Sequence, residues 1–190
     1  MTIEGAAALL AWVGASLLVV SDGRRGLGLG LALLTAAFAA LALASGLPIG
    51  AAAIGVGGGL AAWQCWRSGT AGWGIMPAGS TPRLVLCVGS GVLALWVAAA
   101  VTNGPGAALR FAVVAVLGLT GARALASSEI SVVLAGIAGF ALALATAPSL
   151  ELPSQGVFPD IAGGLIAAGV MAIPRAGRAQ GVVESENRET

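Results

Sequence analysis

Few residues in this chain could do chemistry, and most of them are charges at the edges of apolar runs. Arg110 stands about one turn into such a run. Glu151 and Asp160 fall in the proline-bearing segment 148–160, on the side of the chain that Arg110 faces. A charge near hydrocarbon is costly alone and is usually paired. The sequence therefore predicts Glu151 or Asp160 within reach of the Arg110 guanidinium, pinning this loop or holding an anionic ligand. The simpler expectation is an Arg110 that snorkels to the interface. Asp160 precedes Ile161-Ala162-Gly163 and also reads as a helix cap. Glu129 follows Ser127-Ser128, where a serine N-cap and a first-turn carboxylate suit a helix start.

Small residues carry the other candidate interactions. Ala51-Gly55-Gly59, Gly26 with Gly30, and Gly164 with Ala168 repeat at four-residue spacing. Without Cβ bulk, helix backbones approach closely and gain dispersion contacts. Gly55 and Gly59 are expected against another helix, from this chain or a partner. The run Gly55-Val56-Gly57-Gly58-Gly59 has no strand before it and no Lys-Ser/Thr after it, so a phosphate-cradling loop is excluded.

Other chemistries lack their residues. Histidine is absent and there are two cysteines, Cys65 and Cys87, which make a poor metal set. They read as small packing residues. No cofactor and no metal site is expected, and no nucleophile–base pair suggests an enzyme. No carboxylate or basic residue falls near the middle of a predicted helix. Ion and proton carriers place such groups on their path, so a proton pump is disfavoured. A net charge of +1 gives no reason to invoke nucleic acid.

The elements that must position these residues follow from hydropathy. Of 190 residues, 58% are hydrophobic and 9% charged, against about 25% charged in soluble domains. So few charges cannot cover a soluble surface. The expected fold is an all-α integral membrane bundle of about seven helices, near 4–20, 27–45, 49–66, 84–101, 107–125, 129–147 and 158–174. Glycine, proline, serine and asparagine punctuate the breaks. Residues 1–174 form one transmembrane domain, and 175–190 a polar tail expected to be disordered. The loop 67–83 and the loop 148–160, rich in glycine and proline, are expected to be irregular. Trp63 and Trp66, beside Arg67, suit an interface, whereas Trp12 and Trp96 read as packing residues. The first apolar run lacks a basic flank and is expected to be retained as a helix.

Arginine fixes the orientation. Arg24, Arg25, Arg67, Arg83, Arg123, Arg175, Arg178 and Arg188 fall on one side if there are seven crossings, leaving Arg110 toward the other. The positive-inside rule then places the N-terminus out and the C-terminus in. Absence of lysine, with abundant Ala, Gly and Val, suggests a GC-rich bacterial genome. The expected location is the bacterial cytoplasmic (inner) membrane, with lipids and other membrane subunits as partners and no nucleic acid. The function expected is a non-catalytic accessory subunit of a larger complex, such as a respiratory or ion-translocating assembly. The alternative is a small oligomeric transporter for a neutral or hydrophobic solute.

Overall fold

The computed structural model describes residues 3–67, 81–101, 106–147 and 158–186, the side chains of 98–101 and 173–186 lying outside the description. Glu151 and most of both long loops therefore fall outside the described residues. The described residues form seven helices and no strand: α1 Ile3–Val20, α2 Arg24–Ala44, α3 Pro48–Arg67, α4 Thr81–Val101, α5 Ala107–Ala126, α6 Ile130–Thr146 and α7 Phe158–Glu186. Each expected run is helical, with ends displaced by at most three residues except in α7. That helix continues through Pro174 to Glu186, where the sequence reading ended it at 174. Polarity ends a hydropathic run, but it does not end a helix.

Three helices, α1, α2 and α5, are long and apolar enough to cross a membrane. Shorter apolar stretches occupy 81–97, 130–146 and 158–172. In α3, five glycines and Gln64 dilute an otherwise apolar run.

Local chemistry sets the ends. Gly46, with φ +75°, closes α2: its N–H donates to Leu43 O at 3.0 Å and the Leu47 N–H donates to Ala42 O at 2.9 Å. These two bonds satisfy carbonyls that the helix end would orphan. Pro48 then opens α3, where its missing N–H costs nothing. At α6 the cap is one residue later than expected. Glu129 itself is the N-cap, its N–H donates to Ser127 Oγ at 3.4 Å and its Oε1 accepts from Ser131 Oγ at 2.9 Å.

The helices α1, α2, α3, α7, α6 and α5 close a ring in that order, with α2 also touching α6 across the middle. Helix α4 packs outside α1 and α5. The core is a sheet-free mass of alanine and leucine, with Phe38, Leu31, Leu34, Ile54, Leu119 and Leu142 fully buried. Small residues set the spacing. A Cβ on Gly14 of α1 would come within 2.9 Å of Gly30 O on α2. A Cβ on Gly57 of α3 would strike the Gly164 backbone of α7.

That contact narrows the expectation for Gly55 and Gly59 to a helix from a partner. The face of α3 packed within this chain carries Gly57 and Gly58, the latter against Thr35. Gly55 and Gly59 have no atom within 4 Å of where a Cβ would sit, so no helix of this chain among the described residues covers them. Trp96 is a correction. It is 67% exposed on α4 and does not pack inward, whereas Trp12 does.

Candidate functional site

The polar chemistry of the described residues gathers at one end of the bundle. The Ser21-Asp22-Gly23 turn joins α1 to α2, and the Ser21 N–H still donates to Leu17 O at 3.0 Å. Gly23 is the N-cap of α2, with extended backbone. The turn thus lifts Asp22 off the end of both helices. Arg83, from the first turn of α4, donates through Nη1 to both Asp22 oxygens, at 3.0 and 2.9 Å. Arg123, from the last turn of α5, pairs with Asp22 Oδ1 through Nη2. The same nitrogen donates to Ser21 O at 3.3 Å.

One carboxylate therefore ties four elements together. Burial differs sharply among the three groups. The Arg123 side chain is 4% exposed, while Asp22 and Arg83 keep 29% and 34%. Arg123 Nε and Ser21 Oγ are buried without a hydrogen-bond partner among the described residues. A charge so enclosed is retained only if paired, so Asp22 is what allows Arg123 to sit in the core. Sequence reasoning placed Arg123 and Arg83 at this end but read Asp22 only as a turn former.

Among the described side chains, the remaining arginines at this end are on α2 and α3. Arg67 lies over the Trp63 ring, 5.0 Å from its centroid. Trp66 lies against Gly28 of α2, where a Cβ would come within 3.1 Å of the ring. Trp63 and Trp66 are each about half exposed. Both tryptophans expected at the end of α3 thus lie half exposed there, Trp63 beneath Arg67 and Trp66 against α2.

At the opposite end, Asp160 does not meet Arg110. Asp160 is 3% exposed in the first turn of α7, and its Oδ2 lies where a Cβ on Gly50 would fall. The reason is topological: α7 packs on α3 and α6, whereas Arg110 belongs to α5 and folds near Gly106. Since Gly50 is in the first turn of α3, two parallel helix starts converge on this carboxylate. Their aligned dipoles favour an anion there. Asp160 is thus within the first turn of α7, which already runs from Phe158, and not at the cap position the sequence suggested. The pairing with Glu151 lies outside the described residues.

Both cysteines are free and buried. Cys87 sits on the α1–α4 contact: the Trp12 indole N–H donates to Cys87 O at 3.2 Å, and the Ser90 hydroxyl donates to the same oxygen at 3.0 Å. Two lateral grooves are apolar. One, about 380 Å³, runs between α6 and α7 beside Phe140 and Pro159. The other, about 250 Å³, lies among Trp12, Val92, Leu95 and Phe111.

Comparison with models of protein families, with characterised proteins and with solved structures finds no match. The functional reading rests on the chain's own chemistry.

Proposed function

We propose that this chain is a non-catalytic subunit of a larger membrane assembly, inserted in the bacterial cytoplasmic membrane through seven crossings. The observation that carries this reading is α4. Leu84, Val85, Val88, Val92, Leu93, Leu95 and Trp96 are all exposed, and only Cys87 and Ala94 of its described side chains are buried. One helix held on two neighbours, apolar around most of its circumference, suits a surface covered by lipid and by other helices.

The interior supports a structural role. Thr35 and Thr120 give their hydroxyl protons to carbonyls one turn back in their own helices, at 2.8 and 2.6 Å. They spend their polarity locally instead of lining a path. The apolar groove of Trp12, Val92, Leu95 and Phe111 favours a second reading, a small carrier for a hydrophobic solute.

Purification of the tagged chain from its own membranes in mild detergent separates the two. The subunit reading expects stoichiometric co-purification of larger membrane proteins. A chain isolated alone, stable, and able to move a hydrophobic solute after reconstitution would overturn it.

A further inference from the structure

We infer that the α2–α3 face at the arginine-rich end is a docking surface for the headgroup of an anionic phospholipid. The inference rests on the membrane-inserted reading above.

Charge is the first argument. Among the described side chains, this end carries Arg24, Arg25, Arg67, Arg83 and Arg123 against Asp22 and Glu129. The other end carries Arg110 against Glu4 and Asp160. Asp22 is already committed to Arg83 and Arg123. Arg24 and Arg25 form no ion pair among the described residues, and Arg67 is stacked on Trp63. Among the described side chains, Arg24, Arg25 and Arg67 therefore have no carboxylate partner. A phosphodiester is the anion that a membrane surface offers there, and guanidinium matches its oxygens in pairs.

Shape is the second argument. Gly28 lets Trp66 of α3 come close to α2 one turn above Arg24. The arginine-bearing ends of α2 and α3 are thus bridged by an indole. Tryptophan favours the headgroup level. Beyond it, Trp63, Leu60 and Val56 continue along the same outward face of α3, all exposed. Their spacing of three and four residues keeps them in line with Arg67. The line passes from cation to indole to aliphatic side chains, which is the order of a phospholipid from phosphate to acyl chain. Gly59, with open space where a side chain would be, leaves the helix low beside that line.

The test uses the full chain in nanodiscs of phosphatidylcholine and phosphatidylglycerol in equal amounts. Lipids retained after gentle release are counted by native mass spectrometry. Phosphatidylglycerol should be retained preferentially, and the preference should weaken as salt is raised. Each cation near an anionic surface is worth on the order of fivefold. The R24Q/R25Q/R67Q variant should therefore lose the preference by at least about tenfold, whereas R110Q keeps it. Equal retention of the two lipids by the unaltered chain, at any salt, overturns the inference without need of a variant. So does an undiminished preference in the triple variant, or full displacement by an equal concentration of soluble glycerol phosphate. Resistance to alkaline extraction is scored separately: a chain that stays inserted but ignores lipid charge defeats this inference alone, and a chain that is released defeats the membrane reading beneath it.

Discussion

Asp22 is a single carboxylate between two guanidiniums, and the two pairs differ in worth because their burial differs. Arg83 keeps about a third of its exposure, so water competes for it, and such pairs contribute about 0–1 kcal/mol. Arg123 is enclosed, and removing its partner leaves a buried charge, which costs about 3–5 kcal/mol where both groups are dry. Asp22 is partly wet, so Asp22→Asn should cost on the order of 3 kcal/mol, the low end of that range. Arg83→Gln should cost about 1 kcal/mol or less. Thermal unfolding of both variants in one detergent checks the order; equal losses would mean that Arg123 does not depend on Asp22. The arginines were legible as an end of the bundle because their spacing follows the crossings. Their partner was not, since Asp22 reaches residues 61 and 101 positions away, and nothing local to Ser21-Asp22-Gly23 distinguishes a counter-ion from a turn. A carboxylate among so many arginines on one side was the available signal.

Helices show the same division between what is local and what is not. Length, hydropathy and punctuation located all seven, since a helix run of apolar residues ended by Ser-Gly-Leu-Pro or Asn-Gly-Pro-Gly is a local property. The rotation of α3 was not local. Small residues occupy 50–53, 55 and 57–59, so nearly every face of that helix resembles a packing face, and four-residue spacing chose the stripe through Gly55 and Gly59. The structure turns Gly57 and Gly58 inward instead. Gly57→Leu should therefore force α3 away from the Gly164 backbone, at a cost of about 1–3 kcal/mol or more for overpacking. Gly55→Leu, entering open space, should leave the isolated chain's stability within about 0.5 kcal/mol. Unfolding temperatures measured side by side decide it, and a larger loss in Gly55→Leu than in Gly57→Leu would reverse the assignment of faces.

At the scale of the whole molecule, contacts between helix ends define two opposite poles. Asp22, Arg83 and Arg123 meet at one, where Trp66 also touches Gly28. Asp160 meets Gly50 at the other. The pole at Asp22 joins the end of α1, the start of α4 and the end of α5; the pole at Asp160 joins the starts of α3 and α7. Such pairing is what successive helices give when each reverses the direction of the one before. Helices of 17 to 21 residues in α1 to α6 rise about 25–31 Å, comparable to a ~30 Å hydrocarbon core. On the membrane-inserted reading proposed above, the concentration of arginine at the Asp22 pole assigns that pole to the cytoplasm by the positive-inside rule. The first helix then starts outside and α7 ends inside. Reporter fusions after Gly104 and after Ala179 should accordingly report opposite sides, with Gly104 external and Ala179 cytoplasmic. The same side for both would remove one crossing, and with it the arrangement that puts eight of the nine arginines on a single face of the membrane.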